Sequence, residues 1–92
     1  MVSLSSSTPA PQPSPDVVSR NLGDGSVLVH LPTNRIFELN ETGARIWELL
    51  SERVTRDQIV DRLVGEFDIS RDDASQALNE LLEELSGKGL VR

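Results

Sequence analysis

Arg35-Ile-Phe-Glu-Leu-Asn-Glu-Thr-Gly-Ala-Arg-Ile-Trp-Glu-Leu-Leu50 joins a short strand to a capped helix with no spacer between them. Ile36 and Phe37 are strong strand formers, so Arg35 to Leu39 is predicted to be extended. Asn40 then supplies a helix N-cap, whose side-chain oxygen can take up one of the orphan amides of the first turn. Asn40-Glu-Thr-Gly43 therefore reads as a cap, a first-turn acid and a close-packing glycine.

Working outward toward the N-terminus, two more strands precede this segment. Val17 to Asn21 is the first. Gly23-Asp-Gly25 is a strong turn signal, and Ser26 to Leu31 alternates with Val27 and Val29 on one face. Pro32-Thr-Asn34 closes a second turn. The three runs form a meander whose last strand, Arg35 to Leu39, is expected at an edge. Before Asp16 the composition changes: residues 1–15 are rich in Ser and Pro and are expected to form a disordered tail. A single domain is expected over 16–92.

Toward the C-terminus the period changes to that of helices. The first helix is predicted from Glu41 to about Glu52, with Gly43, Ile46, Trp47 and Leu50 on one face. Thr55-Arg-Asp-Gln58 is a capping box, and Ile59, Val60, Leu63, Val64 and Phe67 follow at helical spacing. Ser70 caps the third helix, where Asp72 and Asp73 complement the helix dipole. It is expected to end near Gly87 and Gly89, with Leu90 and Val91 folding back on the core. The predicted fold is α+β and winged-helix-like: an N-terminal three-stranded antiparallel sheet followed by three α-helices, the last two laid out as a helix-turn-helix.

Composition narrows the chemistry. Ninety-two residues make one small domain, which buries only about 60 to 65% of its unfolded surface and leaves little room for a deep cleft. There is no cysteine and one histidine, His30, so the chain cannot assemble a disulfide, a zinc knuckle or an iron-sulfur ligand set by itself. No catalytic residue, metal ligand or cofactor site is expected. Nine Lys and Arg against fifteen Asp and Glu give a net charge of −6, which opposes binding to nucleic-acid phosphates. No run approaches the ~20 apolar residues of a membrane span, and a cytoplasmic location is expected.

The third helix carries the second specific signal. Ala74, Ala77, Leu78, Leu81, Leu82 and Leu85 cover an arc of roughly 140°, wider than the ~100° stripe that one core contact requires. One part of that arc is expected to face the core and another a groove beside Arg35 to Leu39. An edge strand keeps free amides and carbonyls. An extended peptide can add to such an edge through its main chain while its alternate side chains enter apolar pockets.

The run Phe37 to Leu50, with Thr55 to Phe67 and Asp73 to Val91, resembles the PqqD family, named after the pyrroloquinoline quinone biosynthesis protein D. Its members are small peptide chaperones, also called RiPP recognition elements, where RiPP denotes a ribosomally synthesised and post-translationally modified peptide. The resemblance spans about Val17 to Arg92. It implies binding of a precursor's leader peptide between the third strand and the third helix, and delivery to a modifying enzyme such as a radical S-adenosylmethionine protein, a leader peptidase or a cyclase. Carried over by motif, the peptide-binding positions are Arg35, Ile36, Phe37 and Glu38 on the strand, and Ala77, Leu78, Leu81 and Leu82 on the helix. The strand sequence Arg-Ile-Phe-Glu-Leu and the Ser/Pro tail depart from quinone-pathway members, so a lasso-peptide or other modified-peptide pathway fits at least as well.

Trp47 shares its face with Ile46 and Leu50 and is expected in the core instead of against a ligand. His30, opposite in phase to Val27 and Val29, is expected at the surface. Asp73, Glu80 and Glu84 project beside Ala77 and, with Glu83, give the third helix an acidic face. Lys or Arg in a leader would complement that face. Between Arg71 and Leu85 one basic residue stands against five acidic ones, which opposes the alternative of a winged-helix DNA-binding protein. A homodimerising interaction module, in which the free edge pairs with its own copy, uses the same surface and competes directly.

Overall fold

The structure, a computed structural model, describes residues 10–92. Its elements run β1 (Val17–Asn21), β2 (Ser26–His30), β3 (Arg35–Leu39), α1 (Glu41–Ser51), α2 (Arg56–Phe67) and α3 (Arg71–Gly87). The α+β order of three strands followed by three helices is the one the sequence implied, with β2 and α1 each ending one residue earlier than expected.

The sheet is antiparallel in the order β1-β2-β3. Val29 pairs with both Val18 and Ile36, and Leu28 with both Ser19 and Phe37. Alternation decides which side faces the helices. In β2 that side carries Ser26 and Leu28, the latter fully buried, whereas Val27 and Val29 are half-exposed on the outer face. His30 lies on the inner side by the same alternation and is half-buried, its Nδ1 2.8 Å from the Thr33 hydroxyl. Its phase, opposite to that of Val27 and Val29, puts it on the side facing the helices because the valines point outward, and at the end of the strand it stays partly exposed.

Each turn of the meander rests on one residue with a special backbone requirement. Asn34 closes the β2–β3 turn at φ 58°, a left-handed conformation that Asn tolerates better than most residues. At Gly25 a Cβ would lie 2.5 Å from the Leu39 carbonyl oxygen. Only glycine lets the end of β3 come that close.

Each helix begins as its cap predicts. Asn40 Oδ1 accepts from the Gly43 amide at 2.8 Å, both hydrogen bonds of the Thr55–Gln58 capping box are present, and the Ser70 hydroxyl accepts from the Asp73 amide. Ile46, Trp47, Leu49 and Leu50 of α1 meet Ile59 and Leu63 of α2 and Ala74, Leu78, Leu82 and Leu85 of α3 in one core. Trp47 is buried there, as its spacing predicted. Outside the core, Arg45 grips Glu66 with two hydrogen bonds, at 2.8 and 3.0 Å, tying α1 to α2. Arg71 bonds Asp61 across the α2–α3 turn.

The chain ends are joined. Leu90 is fully buried, Pro13 bridges Val91, and backbone bonds run from Ser14 N to Leu90 O and from Arg92 N to Gln12 O. Ala10 reaches the core. Of the tail expected over 1–15, residues 1–9 lie outside the described residues. Residues 10–14 pack against the C-terminal strand-like segment although their composition sets them apart from the domain. Among the described residues no helix is long and apolar enough to cross a membrane, and no cluster of three or more His, Cys, Asp or Glu is arranged to hold a metal ion.

Candidate peptide-binding groove

The register of β3 determines what it presents. Arg35, Phe37 and Leu39 share the inner face, while Ile36 and Glu38 point to the outer one. Phe37 and Leu39 pack partly against the core. Ile36 is 66% exposed. Beyond β3 no further strand pairs with it among the described residues, so its outer edge keeps free donors and acceptors.

β1 is the other edge of the sheet, and it has the same unpaired main chain. Four of its five residues are exposed. What distinguishes β3 is a wall: α3 runs alongside it and leaves a groove between the two. The groove has two parts. One, of about 430 Å³, is lined by Ile36, Phe37, Glu38 and Leu39 opposite Glu84, Leu85, Lys88 and Leu90. The second, of about 280 Å³, continues it past the strand end, with Asn40, Thr42, Gly43 and Ile46 opposite Ala77, Glu80, Leu81 and Glu84. About 150 Å³ is room enough for a benzene-sized group, so each part has space for a large side chain.

The end of α3 shapes the lower wall. Gly89 takes φ 71°, and the Leu90 amide reaches back to the Leu85 carbonyl at 2.9 Å while the Gly89 amide meets Ser86 O. This is a Schellman closure, in which a left-handed glycine reverses the chain and the residue after it packs on the last helical turn. It drives Leu90 under Leu85 and leaves Lys88 at the rim, its Nζ 5.8 Å from the centre of the Phe37 ring, within the reach of a cation–π attraction.

Of the eight positions named from sequence, five line this groove. Ile36, Phe37 and Glu38 line it directly, Ala77 and Leu81 form the facing wall, and Arg35 stands exposed at the head of the strand. Leu78 and Leu82 line neither part of it and sit on the core side of α3. The wide apolar arc is divided between two surroundings, and these two leucines fall on the inner part. Positions not singled out from sequence as groove residues are Thr42, Ile46, Leu85, Lys88 and Leu90. The Gly-Lys-Gly at 87–89 signalled the helix end, but not that the reversal would place Lys88 and Leu90 opposite Phe37.

Comparison with known proteins bears on this geometry. Residues 25–91 match the family described as Coenzyme PQQ synthesis protein D (PqqD). A solved structure of TbiB1 in complex with the TbiA(beta) leader peptide superposes with a TM-score of 0.82 at 36% identity, covering 88% of this chain and 94% of that one. Lasso peptide synthetase B1 complexed with the leader peptide superposes with a TM-score of 0.80 at 22% identity, over 89% of this chain and 96% of that one; at that identity the likeness concerns the fold. No curated protein matches the sequence.

Proposed function

The chain belongs to the PqqD family, and from that membership together with the groove we propose that it is a non-catalytic chaperone for the leader of a ribosomally synthesised precursor peptide. The leader adds as a strand to the free edge of β3, with its alternate side chains entering the two hollows under α3. Phe37, Leu39, Ile46 and Leu81 supply the apolar floor, and the open main chain of β3 supplies sequence-independent hydrogen bonds. The observation that carries this proposal is the pairing of an unfilled strand edge with a facing helical wall, present at β3 and absent at β1. Its support from relatives is TbiB1, 36% identical and complexed with a leader peptide.

The bound leader holds the core peptide near a modifying enzyme, for which a leader peptidase, a cyclase or a radical S-adenosylmethionine protein are the candidate classes. Tethering raises the local concentration of the core peptide toward the millimolar range without adding a chemical group. A single histidine and no cysteine leave the reaction itself to that partner.

The test is a titration of the isotope-labelled protein with synthetic candidate leader peptides. Amide resonances of Arg35 to Leu39 are expected to shift most, followed by those of Ala77 and Leu81. Shifts confined to β1, or to the exposed face of α2, would remove the groove from consideration.

A homodimer through the same edge is the second reading, favoured by Ile36, a large apolar residue that is 66% exposed on that edge strand. Sedimentation at increasing concentration separates the two: a leader that dissolves a dimer shows both using β3, and a monomer at all concentrations eliminates the second.

A further inference from the structure

The groove is not electrically uniform. At the β3 end stands Lys88, over the Phe37 ring and without an ion pair among the described residues. Glu38 lines the same hollow from the outer face of β3, whereas Arg35, on the Phe37 face by alternation, lies outside the lining at the head of the strand. At the α1 end the wall carries Glu80, held by a 3.1 Å hydrogen bond from Gln76 Nε2, and Glu84 lies between the two hollows and lines both. The facing side of the α1 end offers Asn40, Thr42 and Gly43 and no cation. On the α3 side, Lys88, the one cation of the lining, and Glu80 therefore stand at opposite ends of a floor of Phe37, Leu39, Ile46, Ala77 and Leu81, with Glu84 between them, where nearby apolar atoms reduce screening.

The separation has a length. Eight helical residues from Glu80 to Lys88 rise about 12 Å, and four residues of an extended chain advance about 13 Å. Four is an even number, so side chains at the first and fifth positions of a guest strand project to the same side. Antiparallel pairing is the more stable arrangement at a strand edge. A guest antiparallel to β3 enters at the Leu39 end and leaves at the Arg35 end.

Building on the leader-binding proposal, we infer that the groove selects an extended segment by charge order: a Lys or Arg, which meets Glu80, followed four residues later by an Asp or Glu, which meets Lys88. Apolar side chains fill the hollows between them. Glu80 and Lys88 are then specificity-determining residues, and they also set the direction in which a leader lies.

The experiment is selection of displayed random dodecapeptides on the intact protein, followed by binding of the best synthetic peptide and of its twin with the two charges exchanged. Basic-then-acidic pairs four apart are expected to exceed the reverse order among selected sequences. The twin is expected to bind on the order of tenfold more weakly at low salt, with the gap narrowing in high salt as exposed charges are screened. The double variant Glu80→Lys, Lys88→Glu, both positions exposed, is expected to reverse the preference while its helical circular dichroism is retained. Equal binding of the twins, or a preference that survives the double variant, overturns the charge order and leaves the leader-binding proposal standing. Failure of the folded protein to enrich any peptide overturns both, and is recognised by the absence of binders of either order.

Discussion

Ala74, Leu78 and Leu82 on one flank of α3 are sealed in the core, while Ala77 and Leu81 on the adjoining flank of the same helix stay half-buried along the groove, and Leu85 at the seam borders both. Both flanks use only alanine and leucine. What separates them is a rotation of some tens of degrees around the helix axis, which decides whether a methyl group meets α1 and α2 or open space. The first flank holds the domain together; the second is available to a guest. A large apolar residue on this helix therefore has no fixed meaning until its neighbours are known.

The division is tested most severely by Leu82→Asp. Loss of a buried leucine costs about 2–5 kcal/mol, and an unpaired carboxylate in its place adds a desolvation penalty. The sum approaches the whole stability of a small domain, so the variant is expected to lose its helical circular dichroism. A folded Leu82→Asp protein would break the comparison by moving that side chain out of the core.

Gly89→Val probes where the groove flank continues beyond the helix. A β-branched residue held at φ 71° costs about 1–2 kcal/mol, and the reversal that seats Leu90 is weakened with it. A lowered urea midpoint together with weaker leader binding is expected. An unchanged midpoint would show that the reversal does not depend on glycine.

Ala77→Phe sharpens the contrast from the other side. Filling the groove wall is expected to move the unfolding free energy by no more than about 0.5 kcal/mol while reducing leader affinity at least about tenfold, or 1.4 kcal/mol. Anisotropy of a labelled leader and a denaturant titration measure the two quantities separately. Undiminished binding would take Ala77 off the contact surface.

The smallest expected effect lies away from both flanks. The Arg45 guanidinium holds the Glu66 carboxyl below its usual pKa, chiefly through their hydrogen bonds. A carboxylate depressed on folding stabilises above its unfolded pKa, near about pH 4, and that contribution is lost as the pH falls through the folded value. Because Glu66 is 39% exposed, the effect should stay under about 1 kcal/mol. Glu66→Gln is expected to flatten the acid side of the stability curve slightly and to leave leader binding at neutral pH untouched.

Much of this protein was legible residue by residue. Asn40, Thr55 and Ser70 mark helix starts because each satisfies local backbone amides, a need that exists before any tertiary contact forms. The strand-to-helix junction at Leu39 and the helix end at Gly89 are equally local. Less legible was the orientation of β2: Val27 and Val29 form the more apolar row, yet the core took Leu28 and left the valines outside. Alternation gives two faces but does not label them. The same gap explains the division of Leu78 and Leu82 from Ala77 and Leu81.

The order of elements, their caps, the edge position of β3 and the wide apolar arc of α3 followed from the sequence, since each arises from contacts among neighbours along the chain. Which part of that arc is buried, how Lys88 comes to stand over Phe37, and that residues 10–14 clasp the chain's end were decided by the tertiary structure. These depend on distances between segments far apart in sequence, and packing around a common core is what sets such distances.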